Sequence, residues 1–303
     1  MSNTESDEHP APQRARRAPP SRLPRAPAPR RTPVLPFAAG LAVGVVAALA
    51  ASLLGSRRAQ GLNAELEARC ERREMIACRQ LALSHQIGLD GPRDDKRAFE
   101  LFERACNAND VTACLHFAKA LEAERTGNVD QPRVIALYER ACQGSQAEAC
   151  AALGKRHEKG RGTAKSPEKA LEYYQRGCDF GSAEACGGLA LAKYIGMGTD
   201  PNVEQAVALF EKACNGGDAE GCHGFGRMVL GGRGVQKDEA RAMKLFERSC
   251  EGGAVTGCRA LGLLLSDEKG STPPDPVRAK AMFERACNLG DAVACERLER
   301  LGR

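Results

Sequence analysis

The stretch EACAALGKRHEKGRGTAKSPEKALEYYQRGC, residues 148–178, opens beside one cysteine, Cys150, and closes on another, Cys178. Moving along the chain by 36 residues brings the same pattern back. The first cysteines of seven pairs stand at 70, 106, 142, 178, 214, 250 and 287, a step of 36 five times running and then 37. Each has a second cysteine eight positions on, at 78, 114, 150, 186, 222, 258 and 295, and none of the 14 is left over. A fixed period of this length signals stacked copies of one supersecondary unit rather than two ordinary domains. The extra residue of the last step falls in SDEKGSTPPDP (266–276), a loop, where an insertion costs least.

Aligning the copies shows what each column is for. Four residues before the first cysteine stand Phe102, Tyr138, Tyr174, Phe210, Phe246 and Phe283, and eight before it Ala98, Val134, Ala170, Ala206, Ala242 and Ala279. Apolar positions at this spacing form one face of a helix, here called helix B. Twelve before the cysteine come Asp94, Asp130, Ser166, Asn202, Asp238 and Asp275, all side chains that cap a helix N-terminus. Three after it come Asn109, Gly181, Gly217, Gly253 and Gly290, residues that accept the left-handed backbone ending a helix. A second helix, A, starts just before the second cysteine. Its inner face carries a large residue (Leu81, Phe117, Leu153, Leu189, Phe225, Leu261, Leu298) and then, in most copies, a small one (Ala82, Ala118, Gly154, Ala190, Gly226, Gly262). Glycine-rich loops such as GRG (160–162), GMG (196–198) and GRG (232–234) end it. The unit is an antiparallel helix pair, and the expected fold is all-α: an α-solenoid of such pairs over 62–303.

This pattern resembles the Sel1-like repeat family, related to the tetratricopeptide repeats, in stretches such as 148–178 and AEGCHGFGRMVLGGRGVQKDEARAMKLFERSC (219–250). The cysteine pairs make it similar to the exported, cysteine-rich bacterial members known first from Helicobacter. The first copy departs, because CERREMIAC (70–78) has neither Gly nor Asn at the expected break.

Two cysteines eight apart on one straight helix would be about 12 Å apart, beyond the roughly 7 Å Cα limit of a disulfide. A break between them folds helix B back on helix A and brings both sulfurs to one end of the hairpin. The expected pairing is local: Cys70–Cys78, Cys106–Cys114, Cys142–Cys150, Cys178–Cys186, Cys214–Cys222, Cys250–Cys258 and Cys287–Cys295. Such bonds persist in an oxidising compartment. Zinc ligation favours closer pairs such as C-x-x-C, and redox catalysis that same motif, which the chain lacks.

The N-terminal region differs in kind. Residues 1–33 carry seven Arg against Glu5, Asp7 and Glu8 amid many prolines, and read as a disordered cytoplasmic tail. VLPFAAGLAVGVVAALAASLLG (34–55) runs without a charge, long enough as a helix to span a bilayer core of about 30 Å. Arginines on its N-terminal side put the tail in the cytoplasm and the repeats across a bacterial inner membrane, in the periplasm, after a linker at 56–61. An alternative is cleavage after Ala48-Leu49-Ala50, which would release a soluble exported protein. With the basic charge confined to the N-terminal region, the near-neutral repeats give no electrostatic footprint for nucleic acid.

No catalytic constellation, cofactor motif or metal-ligand set stands out. His85 and His157 occupy equivalent places two repeats apart, and with His116 and His223 they read as surface or partly buried scaffold positions. The resemblance implies an enzymatic alternative, β-lactam or peptidoglycan-fragment binding with weak β-lactamase activity, for which serine enzymes use S-x-x-K. The matches are Ser166–Lys169 and Ser266–Lys269, but Ser166 is explained as an N-cap followed by Pro167, and neither has an S-D-N or K-T-G partner. The resemblance also implies a partner groove on the concave face of helix A. There, five past the second cysteine, Lys119, Lys155, Leu191, Arg227 and Leu263 form a mixed basic and apolar stripe. The expected function is a membrane-anchored periplasmic scaffold that binds a protein or peptide partner through this stripe, with Lys119, Lys155 and Arg227 as its cations.

Overall fold

A computed structural model describes residues 61–89, 91–123, 129–268, 270 and 272–301. The tail at 1–33, the apolar span at 34–55 and the linker at 56–60 lie outside the described residues. No helix among the described residues is long and apolar enough to cross a membrane. Gly61, placed in the linker by sequence, is already helical.

The described residues form fourteen helices and no strand. A helix over 61–71 (α1) is followed by α2 (Met75–Ile87), α3 (Asp95–Asn107), α4 (Val111–Ala123), α5 (Gln131–Gln143), α6 (Ala147–Lys159) and α7 (Pro167–Asp179). Then come α8 (Ala183–Ile195), α9 (Val203–Asn215), α10 (Ala219–Gly231), α11 (Glu239–Glu251), α12 (Val255–Leu265), α13 (Pro276–Asn288) and α14 (Ala292–Leu301). Odd-numbered helices are type B and even-numbered ones type A. Consecutive helices pack on one another, and α6, α8, α10 and α12 also touch in sequence, giving an inner layer of A helices. The architecture is an α-solenoid.

Local chemistry sets the boundaries. Every predicted B-helix cap works: Asp94, Asp130, Ser166, Asn202, Asp238 and Asp275 accept a backbone N–H three residues on, at 2.8–3.2 Å. The turn from B to A places the residue three past the first cysteine in the left-handed region in all seven copies, including the first, where Arg73 has φ 66°. Ser145 does the same at φ 62° in the third copy. A left-handed turn at a non-glycine residue costs roughly 1–2 kcal/mol. The short B-to-A connection imposes the conformation there, with Arg73 N–H bonded to the Cys70 carbonyl at 2.9 Å.

The seven disulfides are the local pairs, with Cα atoms 4.3–4.9 Å apart. The aromatic column is buried throughout, and the rings of Tyr174, Phe246 and Phe283 lie against the small position of the preceding A helix, Gly154, Gly226 and Gly262. A Cβ added to Gly154 would come within 2.5 Å of the Tyr174 ring, and one on Gly226 within 2.6 Å of Phe246. Close approach therefore requires glycine at both places. Leu298, in the last copy, is only half-buried. The longer last step shortens α12, which ends at Ser266 in right-handed backbone rather than at a left-handed glycine.

One column joins the repeats by a route that sequence inspection overlooked. Two residues before the first cysteine, Arg104, Arg140, Arg176, Lys212 and Arg248 donate to the carbonyl of the previous copy's first cysteine at 2.8–3.4 Å. Arg285 reaches the Glu251 carbonyl instead, one residue along, as the 37-residue step requires. These carbonyls end the preceding B helix, where acceptors are orphaned and the helix dipole favours a cation.

Candidate functional site

The A helices of three successive repeats, α6, α8 and α10, line a cavity of about 540 Å³. Its floor is apolar: the rings of Tyr174 and Phe210, with Leu191 and Met228 beside them. Those rings reach the cavity because Gly188 and Gly224 carry no side chain. A Cβ at Gly188 would lie 2.6 Å from the Tyr174 ring, and one at Gly224 2.3 Å from Phe210. The equivalent places in other copies hold larger residues, among them Gln80, His116 and Ala152, so the opening is local to these two repeats.

The cavity takes in the middle of the predicted stripe, Lys155, Leu191 and Arg227, but not Lys119 or Leu263. Two of the three predicted cations are already engaged. Lys119 pairs with Glu148 and Lys155 with Glu184, in each case across one repeat step and on exposed side chains. Glu184 and Glu220 line the cavity too, with Asp218, which caps α10 by accepting the Gly221 N–H at 2.9 Å. Burial pushes the Asp218 carboxyl up, although the Gly221 hydrogen bond opposes the shift. The Tyr174 hydroxyl donates to Glu158; burial and this carboxylate together raise its pKa. At the other end of the wall, the Arg233 guanidinium donates to the Tyr194 hydroxyl. Sequence reasoning missed the acidic half of the site, although a column two before the second cysteine (Glu148, Glu184, Glu220) signals it.

The histidines do not converge. His223 lines the cavity, its pKa pushed down to about 4 by burial and then by Arg227 and Arg259. His116 stacks on Phe102, and burial, aided by Arg79 and Lys119, lowers its pKa. His157 corrects the expectation of a surface or partly buried position: at 5 % exposure it is buried, stacked on Tyr173 with ring centroids 5.4 Å apart. Beside it the buried Arg156 pairs with Glu122, which also accepts from Tyr138. Of the serine matches, Ser166 spends its oxygen on the Lys169 N–H and its hydroxyl proton on Glu168. Ser266 caps the end of α12, donating to the Leu263 carbonyl at 3.0 Å, and Lys269 lies outside the described residues.

Stacked helix hairpins, each closed by its own disulfide and presenting a groove on one helix layer, define a repeat solenoid. The chain belongs to the Sel1 repeat family: the family's sequence profile matches residues 76–110, 147–181, 183–218, 219–253 and 255–291, more than half of its length. Among solved structures it is similar to a Sel1 repeat protein from Oxalobacter formigenes, at 22% identity and TM-score 0.65, over 71% of this chain and 88% of that one. A protective antigen of uropathogenic Escherichia coli with the same repeat fold is 20% identical with TM-score 0.52, over 79% of this chain and 59% of that one. Cysteine-rich protein B of Helicobacter pylori is 27% identical over 44% of this chain and 96% of its own, with TM-score 0.36. No curated protein sequence matches the chain.

Proposed function

We propose that the protein is an exported interaction scaffold, held in a bacterial inner membrane by residues 34–55, whose A-helix groove binds an extended segment of a protein partner in the periplasm. The groove at α6, α8 and α10 carries this reading. It combines an apolar floor with charged walls, the composition of a site that takes side chains and a polar backbone together. The disulfides support export, since a chain whose every cysteine is bonded suits an oxidising compartment. The anchor reading rests on the uncharged run at 34–55 and the arginines before it.

The test is photo-crosslinking in intact cells with a benzophenone side chain at position 191, on the groove, or at position 180, at an exposed B-to-A turn. The reading expects a discrete protein adduct from position 191 alone. No adduct, or the same adducts from both positions, contradicts it.

A further inference from the structure

In the A-helix layer, the residue five past one second cysteine pairs with the residue two before the next wherever their charges are opposite. At two consecutive steps the pair is oppositely charged and closes: Lys119 with Glu148, and Lys155 with Glu184. At the next two steps the complementarity stops. Leu191 stands where a cation would meet Glu220, and Thr256 stands where an anion would meet Arg227.

The break leaves charges that the fold does not use. Arg227 is exposed and makes no ion pair with a described residue. Glu220 accepts a hydrogen bond from the Thr256 hydroxyl at 2.9 Å, which does not neutralise it. The nearest basic side chain, the His223 imidazole, has its Nδ1 3.9 Å away and is neutral near pH 7 because burial holds its pKa near 4. Leu191 is 42 % exposed, so it gains little from burial while giving up the ion pair its neighbours make. All three residues line the cavity over the Tyr174 and Phe210 rings.

Glu220 and Arg227 are seven residues apart on α10 and so lie on one face, separated by about 10 Å of helix rise. A chain extended as polyproline II, with three residues per turn and about 3.1 Å of rise per residue, covers that distance in about three residues and brings residues three apart onto one face. We propose that the gap in the ladder is a recognition site for an extended peptide. The peptide sets a lysine or arginine against Glu220 and a carboxylate, about three residues away, against Arg227. An apolar side chain between the two lies over Leu191 and the floor rings. This deepens the groove reading above and rests on it. The lining carries four carboxylates (Glu158, Glu184, Asp218, Glu220) and four cations (Lys155, Lys159, Arg227, Arg233), a balance that suits a peptide bearing both signs better than a phosphate-rich ligand.

The experiment selects a displayed library of random 12-residue peptides on the full chain in detergent, under oxidising conditions. Enriched peptides are then titrated by fluorescence anisotropy. The expected consensus is a basic and an acidic residue about three apart with an apolar residue between them. Leu191→Lys, which completes the ladder with Glu220, is expected to weaken the peptide about fivefold without lowering thermal stability. Arg227→Glu is expected to lose the peptide and regain it when the peptide carboxylate becomes lysine. If enriched peptides crosslink to position 191 but lack the charge pattern, or ignore both substitutions, this proposal falls while the groove reading stands. If nothing enriches, both fall.

Discussion

The two helix layers treat the step between repeats differently. On the B side, a cation from each copy after the first reaches a carbonyl at the end of the preceding B helix. Exposed pairs add to this at several steps: Arg97 with Glu67, Arg133 with Glu103, Arg241 with Glu211 and Arg278 with Glu247. On the A side, ion pairs close the outer steps, Arg79 with Asp110, Lys119 with Glu148, Lys155 with Glu184 and Arg259 with Asp291, but among the described residues none closes the two steps from α8 to α12, where the cavity opens. The B layer and the buried rings thus join every step, while the A layer leaves those two steps without an ion pair. A solenoid without tryptophan, and with few aromatics, stays ordered this way while exposing one face to a ligand.

Removing a hairpin's staple breaks this arrangement most severely. Cys178→Ala with Cys186→Ala is expected to cost about 2–3 kcal/mol in urea denaturation, from the released loop entropy. Gly224→Ala, whose new Cβ meets the Phe210 ring at 2.3 Å, is expected to cost about 1–3 kcal/mol by overpacking and to shrink the groove. The contrast between layers sharpens with two single changes. Arg176→Met removes the half-buried bond to the Cys142 carbonyl and is expected to cost about 1 kcal/mol. Lys155→Met removes only an exposed pair and is expected to cost less than about 0.5 kcal/mol in the same assay.

Acid probes the groove wall. His223 has its folded pKa depressed to about 4 from 6.5, so between those values the unfolded chain binds more protons. Its contribution to stability is fully present above about pH 6.5 and is lost as the pH falls toward about 4. His223→Gln is expected to flatten that part of the stability–pH curve, read from urea midpoints.

The sequence already held the period, the B-helix caps, the alternation of large and small core residues and the cysteine pairing, because each is a local rule repeated in register. Arg73 was illegible: no propensity places an arginine in a left-handed turn, and the short connection between paired helices does so. Burial of His157 depends on Tyr173 of the next helix, a contact that the column of its own helix does not show. The helix-linking arginines were visible as a basic residue two before all but the first of the first cysteines, where Ala68 stands instead. Their meaning needed the neighbouring carbonyl in space. For the groove, the basic stripe was readable but its acidic partners were not. Pairing residues 29 positions apart requires knowing how consecutive A helices lie together.

Peptide mapping of the native full-length protein under non-reducing conditions, by mass spectrometry, decides whether each hairpin is closed by its own disulfide. Seven crosslinked peptides are expected, each joining the two cysteines of one hairpin from Cys70–Cys78 to Cys287–Cys295. Free thiols in the native material, or bonds joining different copies, would contradict that pairing.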